Sequence, residues 1–351
     1  MSFMARPTAR HPKLPVNDLG LTVRDYEGGM STLCAGCGHD SITGAIVQAA
    51  FELSIPTHRF AKLSGIGCSS KTPAYFLRDS HGFNSTHGRM PSVATGANAA
   101  NRDLYYIGVS GDGDSLSIGM GQFAHAIRRN VNMLYVVENN GVYGLTKGQF
   151  SAAADLGSKS KRGVENIQPP IDPCQTAIAL GGTFVARSFS GDKDQLVPLI
   201  KAGLKHRGFG MIDINSTCVT FNDHKGSTKS YEYTREHYHP LIATDYVQPA
   251  QEIRAKYDEG ESMRVELHDG SAIVLRKLDK EYDPTNRVSA MGNLMEASAA
   301  GEITTGLLYL DESVPGMHEV NNTVDTPLID VPYDVLCPGN ETLAKLQSRY
   351  R

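Results

Sequence analysis

Residues 111–149 run GDGDSLSIGMGQFAHAIRRNVNMLYVVENNGVYGLTKGQ, and this stretch decides the fold. Just before it, Leu104–Val109 is short, apolar and partly β-branched, the composition of a buried strand. Within it, Ile118–Arg129 has helical spacing and Asn132–Val137 reads as a second strand. Gly111-Asp112-Gly113-Asp114 therefore follows one strand, and Asn139-Asn140 follows the next. The distance from Asp112 to Asn140, 140 − 112 = 28 residues, is enough for one strand–helix–strand crossover. In an open α/β sheet, ligands sit outside the carboxyl ends of the strands, so both motifs fall on the ligand edge.

Working outward, the same alternation continues. Strands are expected at His58–Leu63, Thr183–Arg187 and Gly210–Ile214, with helices at Ser41–Leu53, Ser92–Asn101 and Gln195–His206. Such alternation predicts a doubly wound, mostly parallel α/β sheet over residues 31–229. Residues 1–30, with prolines and arginines and weak periodicity, are expected to form an N-terminal arm. Residues 230–351 are expected to be a C-terminal extension packing on the main domain, without strand–helix alternation. Within it, Arg264–His268 and Ser271–Arg276 flank Asp269-Gly270, a dipeptide suited to a type I′ hairpin. Tyr231–Pro240 is aromatic and charged without clear period.

Composition narrows the function class. Of 351 residues, 40% are hydrophobic and 21% charged, as in a globular protein, and the net charge of −4 argues against binding nucleic acid through phosphate contacts. No stretch approaches 18 uninterrupted apolar residues, so no membrane helix is expected. The first 20 residues lack the pattern of a secretory signal, and six cysteines are too few for a disulfide scaffold. A cytoplasmic location and metal ligation by clustered thiols are the expectation.

The chemistry of the first motif suits a diphosphate held through Mg²⁺. Magnesium takes octahedral oxygen ligands and commonly bridges phosphate to one or two protein oxygens. Asp112 offers a charged oxygen, Asn140 a neutral one, and the backbone carbonyl near Val142 a third. The glycines allow close backbone approach, and a helix beginning near Ile118 would turn its N–H groups toward the phosphates.

Four cysteines fall at the same edge. Cys34 and Cys37 form a C-x-x-C in LCAGCGHD, opening the helix Ser41–Leu53; Cys68, in GIGCSSK, and Cys218, in NSTCVTFN, each lie just past a strand. Four converging thiolates suit a [4Fe–4S] cluster, and equally suit tetrahedral zinc. Inert buried thiols are the third possibility.

The GDG…NN pair resembles the motif of thiamine diphosphate enzymes. The surrounding text resembles the β subunits of 2-oxoacid:ferredoxin oxidoreductases, most closely the 2-oxoglutarate type, from about Leu33 to Ser230. This resemblance implies thiamine diphosphate on Gly111, Asp112, Gly113, Asp114, Asn140 and Val142, with Mg²⁺ on Asp112, Asn140 and Val142. It implies one [4Fe–4S] cluster on Cys34, Cys37, Cys68 and Cys218, and leaves Cys174 and Cys337 as structural thiols. His39 is implied near the diphosphate. His87, Gly88 and Arg89, in STHGRMP, are implied near cofactor and substrate, and Lys71 is a candidate for the distal carboxylate of a dicarboxylic 2-oxoacid. Asp223-His224-Lys225 reads as a loop near the cluster.

A thiamine enzyme also needs a domain that binds the pyrimidine, and no room for one precedes residue 111. The resemblance implies that an α subunit supplies it, in a dimer of heterodimers. The implied reaction is coenzyme A-dependent oxidative decarboxylation of a 2-oxoacid, or its reverse, with electrons passing to ferredoxin. Pyruvate or a broad range of 2-oxoacids are alternative substrates, and a non-redox thiamine-dependent decarboxylase subunit is the rival enzyme.

Overall fold

The computed structural model describes residues 11–158, 163–220, 253–267 and 272–350. Among the described residues eleven strands are formed: β1 Phe60–Ser64, β2 His81–Asn84, β3 Tyr105–Gly111, β4 Met133–Asn139, β5 Val142–Tyr143, β6 Gln149–Phe150, β7 Phe184–Phe189, β8 Phe209–Asn215, β9 Ser262–Glu266, β10 Ala272–Lys277 and β11 Glu302–Leu310. Nine of them make one sheet in the order β2-β1-β3-β4-β8-β7-β11-β10-β9, and β5 and β6 form a separate two-stranded ribbon. From β2 to β7 every neighbouring pair is parallel. The expected doubly wound α/β fold is present.

The reason lies in the strands' composition. Every residue of β1 and β7 is buried, as are the first six of β4 and β8. A sheet covered on both faces needs such unbroken apolar runs. On one face lie α1 Gly38–Glu52 and α5 Lys193–Lys205, which pack Ile42, Ile46, Leu196 and Ile200 against Val109, Val136 and Ile212. On the other lie α2 Met90–Ala100, α3 Met120–Arg128, α4 Pro173–Ala179 and α6 Arg287–Ala300, whose Ala94, Phe123, Ala177 and Leu294 join Leu63, Tyr135 and Met211. Phe123, Tyr135 and Phe209 meet there with ring centroids 5.3 to 6.0 Å apart, each such pair adding about 0.5–1.5 kcal/mol beyond area burial.

Three expectations change. The C-terminal region is not free of strand–helix alternation: β10, α6 and β11 form a parallel β–α–β unit. Through β11, which runs antiparallel to β7, this unit and β9 extend the main sheet. Second, the N-terminal stretch is stitched to the body over 17–29. Tyr26 is fully buried, its hydroxyl accepts from Asn17 Nδ2 at 2.8 Å, and Gly28 N donates to Tyr75 O at 2.8 Å. Third, a separate turn precedes the helix expected from Ile118, and that helix starts two residues later. A π-helical turn, Gly113–Ile118, follows Asp112 directly and α3 starts at Met120. The hairpin pairing of β9 with β10 is as expected; its Asp269-Gly270 turn lies outside the described residues, as do Asp223-His224-Lys225 and Tyr231–Pro240.

Candidate cofactor and iron–sulfur site

Gly111 ends β3 and Asn139 ends β4, and these strands are neighbours in register, with Gly111 opposite Glu138. The register brings Asp112 to Asn140, whose backbone N–H donates to Asp112 Oδ1 at 3.3 Å. Asp112 is buried, and Ser151 Oγ donates to its other oxygen. Burial pushes the Asp112 carboxyl up to about 6, against the pull of these donors. An anion held out of water in this way fits a divalent cation as partner. Asn140 Oδ1 accepts the N–H of Val142 at 3.1 Å, so the third expected ligand position is tied to the second. Gly141 between them has φ +74°, a left-handed turn that lets the chain double back.

The cleft at this edge is lined by His39, Cys68, Ser69, His87, Gly111, Asp112, Gly113, Asp114, Glu138, Asn140, Val142 and Tyr143, among others. A Cβ on Gly113 would lie 2.4 Å from the Tyr143 ring, so the backbone there is closely covered. Tyr143 also donates its hydroxyl to Gly113 O at 3.0 Å. The turn that follows Asp112 presents the backbone N–H groups of a helix start, which suits an anionic diphosphate.

His39, at the start of α1, is buried, and burial pushes it down to about 4. Its Nδ1 is 2.7 Å from Ser216 Oγ and its Nε2 is 3.5 Å from Asn140 Nδ2. Behind it stands Glu138, fully buried and 3.5 Å from His39 Nδ1. Burial pushes this carboxyl well above the usual range.

The thiols are neighbours across three loops. Cys37 N–H donates to Cys34 O at 3.0 Å, closing the C-x-x-C turn, and Gly38 N–H donates to Thr217 O at 3.4 Å, laying that turn against the loop of Cys218. Thr220 Oγ1 donates to Cys34 Sγ at 3.3 Å. Cys68 caps the 3₁₀ turn Ser69–Ala74. Burial pushes the thiols of Cys37 and Cys68 up, and the charge of Cys218 pushes both further. Thiolates here need a compensating positive centre, which iron or zinc would supply. Among the described residues no three His, Cys, Asp or Glu side chains are yet drawn together closely enough to chelate an ion. Cys174 is buried and its Sγ donates to Ala186 O at 3.6 Å, whereas Cys337 is exposed.

Of the other candidates, His87 borders the cleft, its Nδ1 bonded to Asp114 Oδ1 and its ring edge-on to Tyr143 at 5.9 Å. Asp114 is buried, and its carboxylate is taken up by protein donors. Arg89 does not line the cleft: its guanidinium donates to Gly88 O at 3.3 Å and Ile118 O at 3.4 Å. Lys71 lies on the turn after Cys68, close enough for its charge to pull that thiol down, but outside the cleft wall. Sequence reasoning missed Tyr143, Ser151 and Glu138. Glu138 alone left a signal, a carboxylate closing the apolar run MLYVVEN.

A larger cavity, about 640 Å³, opens beyond Asn140 between the ends of β7 and β8 and the β10–α6–β11 unit. Arg187 in its wall is bonded to Asp213 Oδ2 at 2.8 Å and Asp172 Oδ1 at 2.7 Å.

Several known proteins are similar to this chain. Residues 65–214 match the family described as thiamine pyrophosphate enzyme, C-terminal TPP binding domain. A 2-oxoacid:ferredoxin oxidoreductase subunit beta from a Sulfolobus species is 44% identical over 191 residues, 54% of this chain and 63% of that one. The chain thus spans a little under two thirds of that relative. The subunit beta of 2-oxoacid:ferredoxin oxidoreductase 2 from Aeropyrum pernix is 39% identical over 235 residues, 64% of this chain and 75% of that one. Among solved structures, a 2-oxoglutarate:ferredoxin oxidoreductase from Magnetococcus marinus, with 2-oxoglutarate, coenzyme A and succinyl-CoA bound, matches with TM-score 0.69 and 30% identity, over 89% of this chain and 90% of that one. With a thiamine-binding domain matched and three quarters of a relative's length aligned at such identity, the chain belongs to the β subunits of the 2-oxoacid:ferredoxin oxidoreductases.

Proposed function

We propose that this chain holds thiamine diphosphate through Mg²⁺ on Asp112, Asn140 and the Val142 carbonyl, and one [4Fe–4S] cluster on Cys34, Cys37, Cys68 and Cys218. The observation that carries the reading is the tie of Asn140 to Asp112 at the ends of adjacent parallel strands, with the three cysteine-bearing segments beside it. The thiamine group, when bound, supplies the carbanion chemistry by which a 2-oxoacid loses carbon dioxide. The protein's own part is to seat it: Ser151 and Asn140 orient the Asp112 carboxylate, Tyr143 covers the glycine turn, and His39 closes the inner wall.

The site is half of an active site. Ile66 and Leu145 in the cleft wall are 38% and 47% exposed, which suits a surface that another protein covers. An α subunit carrying the pyrimidine-binding domain is the partner proposed, with coenzyme A as acyl acceptor and ferredoxin as electron carrier. His87 serves as a proton-transfer group facing the substrate. Among 2-oxoacids, 2-oxoglutarate is preferred, from the likeness to the Magnetococcus marinus enzyme and from the ammonium of Lys71 near Cys68. Co-expression with the α subunit tests the reading: the complex should turn over 2-oxoglutarate with coenzyme A and ferredoxin, and the single chain should not. Turnover by the single chain would refute the shared site.

A further inference from the structure

The Asp114 carboxylate is engaged by protein groups at both oxygens. It stands beyond the carboxyl ends of three adjacent strands, β2, β1 and β3, and it bonds to the loops after β2 and β1 and to β3 itself. Its Oδ1 accepts the backbone N–H of Gly88 at 2.7 Å and of Ile66 at 3.2 Å, and its Oδ2 accepts from Ser110 Oγ at 2.5 Å. The third group on Oδ1 is Nδ1 of His87. Gly65 makes room for this junction, since a Cβ there would fall 1.9 Å from Asp114 Oδ2.

Chemistry fixes the direction of the last bond. Backbone N–H groups only donate, so Oδ1 is an acceptor, and the ring nitrogen against it must carry the hydrogen. The neutral His87 ring is then the Nδ1–H tautomer. Its lone pair is on Nε2, which has no protein partner among the described residues, on a ring that is 30% exposed at the cleft. We propose that Asp114 is the positioning residue of the site, holding His87 in the tautomer whose Nε2 accepts a proton from the substrate. In the 2-oxoacid the oxygen on the 2-carbon is a carbonyl without a proton, so the transfer is from the hydroxyl it becomes once a nucleophile has added to that carbon: the O–H bond breaks, the proton bonds to Nε2 and the electron pair stays on the oxygen. The Nδ1 proton stays in place, and the resulting imidazolium is paired with the Asp114 carboxylate. The return step reverses the transfer, with no net proton gained. This rests on the reading of His87 as the proton-transfer group. It gives the second aspartate of GDGD a different task from the first: Asp112 faces the cation, Asp114 the histidine.

The test is ¹⁵N magic-angle-spinning spectroscopy of the ¹⁵N-histidine-labelled α/β complex, with His87 assigned by its loss in His87→Gln. The expected wild-type ring has a pyrrole-type Nδ1 and a pyridine-type Nε2. Asp114→Asn should keep that pattern, because the two backbone donors hold its amide oxygen at the Oδ1 position. Asp114→Ala should release it to a mixture, with kcat down roughly 100-fold and KM for the 2-oxoacid within about threefold. A wild-type ring protonated at Nε2 would overturn the positioning role even if His87→Gln were inactive. A fully active His87→Gln would overturn the reading beneath it even with the tautomer as stated. The wild-type spectrum decides the matter should Asp114→Ala fail to fold.

Discussion

The backbone N–H of Asn140 donates to Oδ1 of Asp112, 28 residues earlier, at 3.3 Å. The two halves of the motif are thus joined through the protein itself. The loop after β4 cannot shift without disturbing the carboxylate after β3, and the placement of this pair follows from strand register.

Asp112→Ala and Asn140→Ala should each weaken thiamine diphosphate binding in the presence of Mg²⁺. Losing a charge-assisted contact worth roughly 1.5–3 kcal/mol corresponds to about a ten- to hundredfold change. Calorimetric titration with the diphosphate, with and without Mg²⁺, measures this. Iron content should stay at the wild-type level, and unchanged affinity in both variants would defeat the assignment.

Replacing cysteines one at a time should divide the six into two groups. Alanine at Cys34, Cys37, Cys68 or Cys218 should lower iron or make it labile, whereas alanine at Cys174 or Cys337 should leave iron unchanged. Cys174→Ala should still cost stability, because that side chain is buried against β7. Iron analysis of anaerobically purified variants is the measurement, and equal losses across all six would show the ligand set to be wrong.

Gly113→Ala should close the turn proposed to cradle the diphosphate. The added methyl meets the Tyr143 ring at 2.4 Å, so the ring or the π turn must move. Overpacking of this kind costs about 1–3 kcal/mol. Tm should fall and thiamine affinity with it, and wild-type values of both would show that the turn has slack.

Arg187→Met should be destabilising, and because its partner Asp213 also accepts from Asn139 Nδ2 at 3.1 Å, the loss should reach the Asn139-Asn140 turn. The guanidinium is buried between Asp172 and Asp213, and removing it leaves two carboxylates without their cation. Breaking such a buried pair costs about 3–5 kcal/mol. Denaturant unfolding measures the loss, and a shift below about 1 kcal/mol would mean that water replaces the arginine.

Much of this arrangement was legible because strands buried on both faces are unbroken apolar runs, and glycine-rich turns mark their ends. The parallel unit β10–α6–β11 was not. Helix α6 buries only Ala290, Leu294 and Ala297, a stripe too narrow and too small to show as amphipathic spacing. The π turn escaped for a different reason: Gly113–Leu116 is wholly buried, so the apolar period that separates helix from turn is missing there. Tyr143 and Ser151 were hidden because their roles depend on contacts across 30 and 39 residues. Asp114 was visible in GDGD, but its partner His87 is 27 residues earlier and on another loop.

The central claim is that one chain carries both the diphosphate half of a thiamine site and an iron–sulfur cluster beside it. Cofactor and metal analysis of the anaerobically purified α/β complex tests it most directly, together with the visible spectrum. The account predicts about one thiamine diphosphate and, for this chain, about four iron and four acid-labile sulfide, with broad absorption near ~400 nm that is lost in Cys218→Ala. Zinc in place of iron at the four cysteines, or a complex that retains no thiamine diphosphate with Mg²⁺ present, would contradict it.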